Sequence, residues 1–225
     1  MKTKIQALVM MAVAACMSCG LTAPAVGAPH LIEATSKEGE PYRDAVRVLL
    51  RAIIKGDEKA AEAAFVGVGD DLKLLRLTLA TNTARQRYND AVRKRFKDAG
   101  MEYKWDYATP QLRGIDATTI IAGSEGPDEA SFSPDLFPFC GFVVNRRHGK
   151  WLVRSITVFP KDVPHMLAAH PKLAAALDAL TVRINHGEFK SLADVEKAEE
   201  VSVGPIMAKY EAATDKGRPT TRRGE

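Results

Sequence analysis

Three aromatic side chains alternate along one short segment and are the residues of this chain best suited to hold a ligand. Tyr103, Trp105 and Tyr107 occupy every second position, so on a β-strand they point to one face, and the charged residues between them point to the other. Trp151 begins a later apolar run of the same kind. Aromatic rings with polar tips can line an apolar pocket. The same four side chains can instead pack under the helices as core, and both interpretations stay open.

No spacing typical of a metal, nucleotide or hydrolase site occurs in the sequence. His165 and His170 differ by five positions, which on a helix is about 140° of rotation and places them on different faces. Gly67 and Gly69 lack the third glycine and the preceding strand of a dinucleotide-binding loop. Neither HExxH nor GxSxG is present. We therefore predict no metal, no cofactor and no catalytic residue set.

Residues 1–28 have the pattern of a secretory signal peptide. Lys2 and Lys4 give a positive start, residues 5–17 form an uncharged and mostly apolar run, and Val26–Ala28 is a small-residue cleavage signal. The run is too short to span a bilayer, which needs about 20 residues. In an alternative interpretation the segment before Cys16 is a lipobox and Cys16 carries a lipid. Both interpretations predict an exported protein, periplasmic or extracellular, without a transmembrane span.

Cleavage at this site leaves Cys140 as a lone thiol, with Phe139 and Phe142 close to it in the sequence. A disulfide within the mature chain is then excluded, so the exported domain must be held together by its hydrophobic core. The apolar neighbours favour a buried structural cysteine over a nucleophile, because an activated thiol needs a nearby base.

The charge of the chain indicates no particular partner. The formal net charge is +4 at pH 7, and loss of Lys2 and Lys4 with the signal leaves +2 (+4 − 2). This excess is too small to predict nucleic acid as a partner. The basic run at 93–97 is expected to be a solvated helix face, and the basic tail at 214–225 a disordered segment.

The order of the predicted elements indicates an α+β fold with one antiparallel sheet. Residues 29–40 are expected to be a linker, and helices follow over 42–54, from Asp57, and from Asp70 or Asp71 to about Ala99. Strands are then predicted at 101–107, 115–123, 129–137 and in a hairpin over 139–159. The chain returns to helix over 163–185, as one helix or two, and over 191–213. Helices, then strands, then helices are typical of α+β domains.

Two segments of this pattern resemble a known superfamily. The stretch "LLRAIIKGDEKAAEAAF" at 49–65 is similar to the N-terminal helices of the nuclear-transport-factor-like superfamily, which includes ketosteroid isomerase and the SnoaL-like cyclases. The stretch "FVVNRRHGKWLVRSI" at 142–156 resembles the last hairpin of that fold. The resemblance implies a cone-like domain over 41–160, in which a curved sheet wraps a long helix around a pocket, followed by a helical extension over 161–213. It transfers no catalytic residue to this chain.

The superfamily uses its cone for isomerases, dehydratases, cyclases, plain ligand binding and dimer contacts, so fold alone does not assign a function. We predict a non-enzymatic binding or interaction module whose partner is a small apolar ligand or an envelope protein, with a homodimer through the sheet as a further possibility. The alternatives are an isomerase or dehydratase that uses the cone, and an accessory protein anchored through Cys16. The predicted lining of the pocket is Tyr103, Trp105, Tyr107 and Trp151.

Overall fold

The structure, a computed structural model, describes five segments of the chain: 29–97, 108–123, 126–132, 141–157 and 160–215. In them, six α-helices accompany a five-stranded antiparallel sheet, which confirms the predicted α+β class. The predicted signal segment, the strand at 101–107, Cys140 and the tail from 216 onwards lie outside the described residues. The predictions made for them therefore stay predictions.

Four of the described helices are long, with 16 to 27 residues, and two are short. They are α1 (Glu40–Lys55), α2 (Glu58–Ala63), α3 (Asp70–Phe96), α4 (Ala108–Gly114), α5 (Val163–Asn185) and α6 (Leu192–Asp215). The strands are β1 (His30–Ile32), β2 (Ile120–Ala122), β3 (Glu129–Phe132), β4 (Val143–Arg147) and β5 (Lys150–Ser155). They lie in the order β1-β2-β3-β4-β5, and every neighbouring pair is antiparallel.

Helix α1 begins and ends where its sequence indicates. Its buried residues recur at three- and four-residue steps and face the core. Gly56 ends the helix in the left-handed conformation, with φ 67°, which glycine adopts without steric cost. Asp57 then caps α2, where its carboxylate accepts a hydrogen bond of 2.9 Å from the amide of Ala60. These predicted signals are confirmed.

The hairpin of β4 and β5 turns at His148 and Gly149, where both φ angles are positive (50° and 77°). This is the requirement of a two-residue type I′ turn, which matches the twist of the flanking strands. On the other side, β5 is covered by the chain after α2, since the amide of Val66 donates to the carbonyl of Val153 (2.8 Å). The sheet edge at β5 is thus paired over this part of its length.

Two hydrophobic clusters share the long helix α3. The first joins the sheet, α1 and the first half of α3, and includes Met166 from α5. The second joins the other half of α3 with α5 and α6, around Leu177 and Val195. Tyr88 of α3 donates a hydrogen bond of 2.9 Å to Glu199 of α6 within this second cluster. Burial, and then the charge of Glu199, raise the pKa of Tyr88 far above its usual value.

Two segments differ from their predicted form. Residues 29–40 are not only a linker, because β1 pairs with β2 and places Ile32 in the core at 2 % exposure. Only Ile120–Ala122 of the strand predicted at 115–123 pairs as a strand, since Ile115–Ala117 forms a 3-10 turn that buries Ile115. The range predicted as a helical extension, 161–213, contains α5 and α6, which bury apolar side chains against α3.

Candidate functional site

The structure describes one of the four predicted pocket residues. Tyr103, Trp105 and Tyr107 lie outside the described residues. Trp151 on β5 packs edge-on against Tyr42 of α1, with ring centroids 4.5 Å apart. The guanidinium of Arg146 lies 5.8 Å from the same ring. Trp151 is half-buried and packs on α1, in agreement with the core interpretation of this side chain, and it is not among the described residues that line the cavity discussed below.

The position of Trp151 predicts a moderate loss of stability when its ring is removed. Replacing a fully buried aromatic residue by alanine costs about 3–5 kcal/mol, and half burial lowers the expected cost of Trp151→Ala to about 2 kcal/mol. Urea unfolding measures this difference in the free energy of unfolding. Arg147→Ala is the control, because Arg147 is exposed and should stay within about 0.5 kcal/mol of the wild type. Equal stability of both variants would contradict the packing role.

A cavity of about 100 Å³ lies where the sheet and the helices meet. Residues from α1, α3, α4, α5 and α6, and residues next to β4 and β5, line it. Most of its wall is apolar and includes Leu50, Ile53, Phe142, Ile156, Met166 and Leu173. An apolar cavity of about 150 Å³ in another protein binds benzene, and the volume here is smaller but of the same order, so small rings and short chains are the ligands to test.

Hydrogen bonds between α1 and α3 hold the cavity wall in place. The side-chain amide of Asn82 donates to the carbonyl of Ile53 (2.6 Å), and that of Gln86 donates to the carbonyl of Ile54. Both carbonyls are in the last turn of α1, and that of Ile53 also accepts from the amide of Gly56 at the helix end (3.1 Å). The two bonds therefore fix the position of Ile53, which lines the cavity from α1.

His170 is a polar residue of the wall, and its contacts with Thr81 indicate which ring nitrogen carries the proton. Its Nδ1 lies 3.0 Å from Thr81 Oγ1. The single hydroxyl proton of Thr81 has carbonyl acceptors at Leu77 (2.8 Å) and at His170 itself (3.2 Å). When that proton goes to a carbonyl, Nδ1–H donates to Thr81 and Nε2 keeps a lone pair. Burial lowers the pKa of His170 to about 4, so the ring is neutral at pH 7.

Gln111 of α4 is a second polar residue of the wall. It is only 7 % exposed, and its side-chain amide makes no hydrogen bond with another described residue. An unpaired amide is costly in an apolar setting, because its donors and acceptor lose their bonds to water. Thr78 also lines the cavity, but its hydroxyl is fully enclosed and cannot reach a ligand without a side-chain rotation.

The described residues that line the cavity carry no formal charge at pH 7, and no described carboxylate is among them. In the described parts of the chain, no group of three or more His, Cys, Asp and Glu side chains is arranged to hold a metal ion. None of the described helices has the length and hydropathy to cross a membrane. The cavity therefore offers apolar contact and neutral hydrogen bonding.

The sequence alone did not predict these cavity residues. Ala108–Gly114 contains Pro110 and is too short for a helical period to show, so α4 and its Gln111 were missed. The period of α5 was visible, and it places Met166, His170 and Leu173 on one face at steps of four and three. That spacing was a signal available in the sequence, but a helical stripe of this kind marks core more often than a pocket.

Comparisons with protein-family models, with curated proteins and with solved structures each found no match to this chain. The resemblance to the nuclear-transport-factor-like superfamily therefore stays a prediction, and the geometry of the cavity is the ground for a function.

Proposed function

We propose that the protein is a binding module that holds a small, largely apolar molecule in this cavity. The observation that supports the proposal is the cavity itself, a volume of about 100 Å³ with apolar walls and uncharged polar groups. Ligand pockets commonly combine such walls with a few polar groups that orient the ligand. A core position would instead be filled, because protein interiors pack to the density of organic crystals.

Binding fits the described residues better than catalysis does. General acid–base chemistry needs a group whose pKa lies near the working pH. The pKa of His170 is lowered to about 4, which makes its imidazole a weak base at pH 7. No carboxylate lines the described part of the cavity to serve as a partner. The isomerase and dehydratase alternative therefore has less support than ligand binding.

A matched pair of substitutions on α5 tests the proposal. Ala169 lines the cavity, and Ala168 is exposed beside it on the same helix. Ala169→Leu adds three carbon atoms inside the cavity, whereas Ala168→Leu adds them in solvent. We expect fluorobenzene to bind the wild type and Ala168→Leu, and to lose at least tenfold in affinity for Ala169→Leu. Titration followed by ¹⁹F NMR measures all three dissociation constants.

Ala108→Leu repeats the test from α4, because Ala108 also lines the cavity, and it serves if Ala169→Leu does not fold. Circular dichroism and a thermal melt establish which variants are folded. Absence of fluorobenzene binding to the wild type would overturn the proposal. So would equal binding by the wild type and by a folded variant whose cavity is filled.

A further inference from the structure

The polar groups of the cavity define which end of a ligand can be recognised, and this inference rests on the proposed function. At neutral pH, His170 presents Nε2 as an acceptor when the hydroxyl of Thr81 donates to the carbonyl of Leu77 (2.8 Å), the nearest of its acceptors, because Nδ1 then carries the proton and donates it to Thr81 (3.0 Å). No described residue donates to Nε2. Helix α4 adds the side-chain amide of Gln111, a residue that is 7 % exposed, and this amide has no hydrogen-bond partner among the described residues. Neither group has a hydrogen-bond partner among the described residues at these atoms, and both lie in a mostly apolar wall.

These unpaired groups favour a ligand that satisfies them. A buried polar group without a partner costs about 1–3 kcal/mol, and a ligand that pairs with it removes this cost. A lone-pair acceptor such as Nε2 requires an O–H or N–H donor. The amide of Gln111 accepts either a donor or an acceptor, since it has both.

The charge of the wall limits the ligand further. The described lining residues are uncharged at pH 7, so an ionised ligand would lose its hydration and meet no opposite charge. A carboxylate would also place its acceptor oxygens against the lone pair of Nε2. The ligand class that fits is therefore neutral.

We propose that the cavity selects a neutral molecule with an apolar body and one hydroxyl or N–H group, which donates to Nε2 of His170, while Gln111 forms the second polar contact. Alcohols, phenols and primary or secondary amides of small size have this chemistry. Hydrocarbons and ethers of the same shape lack the donor.

Four fluorinated probes separate these possibilities. We expect 4-fluorophenol to bind the wild type about tenfold tighter than 4-fluoroanisole, in which a methyl group replaces the donated proton, and tighter than fluorobenzene. We expect no measurable binding of 4-fluorobenzoate. ¹⁹F NMR titrations at pH 7 give the four constants. Tighter binding of the anisole, or of the benzoate, would overturn the inference.

Variants of the two residues localise the effect. His170→Leu removes the acceptor and should reverse the order, so that fluorobenzene binds tighter than 4-fluorophenol. His165→Leu is the matched control, because His165 is exposed on the same helix and should keep the wild-type order. Gln111→Leu should weaken the preference for 4-fluorophenol about threefold or more, and it keeps the test open if His170→Leu does not fold. An unchanged preference in folded His170→Leu would contradict the assignment.

The two proposals fail in different ways. If all neutral probes bind the wild type equally, the choice of ligand class is wrong, and the binding function stands. If no probe binds, the binding function itself is wrong.

Discussion

Arg43→Ala is expected to lower the free energy of unfolding by about 3–5 kcal/mol, the largest effect predicted for a single substitution in this protein. Arg43 on α1 is 1 % exposed. Its two terminal nitrogens donate to the backbone carbonyls of Ser36 (2.8 Å) and Glu33 (3.1 Å). The guanidinium thereby ties the segment that follows β1 to the first helix.

The expected loss has two sources. Alanine removes the guanidinium donors, so each carbonyl keeps only one backbone donor, the amide of Gly39 for Ser36 and the amide of Ser36 for Glu33. It also leaves the volume of a long side chain empty inside the fold. No described carboxylate pairs with Arg43, and its Nε has no partner, so relief of the desolvated charge offsets part of the loss. Arg43→Met keeps most of the volume and removes the charge, and it should therefore cost less than alanine.

Two glycines give a matched control for this region. A Cβ atom on Gly39 would lie 2.6 Å from Nη1 of Arg43, so Gly39→Ala should displace the guanidinium and destabilise the fold. A Cβ on Gly204, inside α6, would meet nothing within 4 Å apart from its neighbours in the chain. Gly204→Ala should therefore change stability little, because the helix preference of alanine over glycine, about 0.5–1 kcal/mol, is opposed by contact of the new Cβ with the ring of Pro205. Urea unfolding compares the free energies of unfolding of these variants. A loss below about 1 kcal/mol for Arg43→Ala would contradict the role of Arg43 in holding the segment after β1 to α1.

The stability of the folded chain should also fall in mild acid because of His170. Burial lowers its pKa from 6.5 to about 4 in the folded state. Between pH 6.5 and 4 the unfolded chain therefore binds a proton at this ring that the folded chain does not bind. Stability contributed by the neutral ring is present above pH 6.5 and is lost as the pH falls toward 4.

The size of this effect follows from the shift. One pKa unit corresponds to about 1.4 kcal/mol. Because the ring is partly exposed, we expect the loss in the free energy of unfolding to be about 2–3 kcal/mol, less than the whole shift would give. His170→Gln should flatten this part of the pH profile, whereas His165→Gln should keep it, since His165 is exposed. The difference between wild type and His170→Gln isolates the ring from carboxylates that titrate in the same range. Parallel profiles for these two proteins would contradict the prediction.

Signals that act within a few residues were predictable from the sequence. Gly56 and Asp57 end one helix and begin the next, and His148 and Gly149 form the tight turn of the hairpin. The helix predicted over 191–213 starts at a Ser-x-x-Asp capping box, in which the amide of Asp194 donates to the hydroxyl of Ser191 (3.2 Å) and the amide of Ser191 donates to the carboxylate of Asp194 (2.9 Å). Each depends on backbone geometry and short hydrogen bonds that neighbouring residues supply.

Other elements depended on partners far away in the chain. β1 is only three residues long and becomes a strand because it pairs with β2, where Ile32 meets Ile120, 88 residues later (120 − 32). Helix α5 continues through Pro171 as a single helix. The carbonyl and the ring of His170, the residue before this proline, both lie within hydrogen-bond distance of the hydroxyl of Thr81 on α3. A short strand or a helical proline has no local preference strong enough to predict such an outcome.

The sequence by itself determined the α+β class, the helix ends and the hairpin turn, because apolar periodicity and capping act over one or two turns of backbone. Only the tertiary structure decided that Trp151 packs on Tyr42, that Arg43 holds the segment after β1, and that a cavity exists. The cavity joins Leu50 of α1 to Tyr210 of α6. A space of this kind arises from the packing of several elements at once, and residues so distant in sequence leave no common period from which it can be predicted.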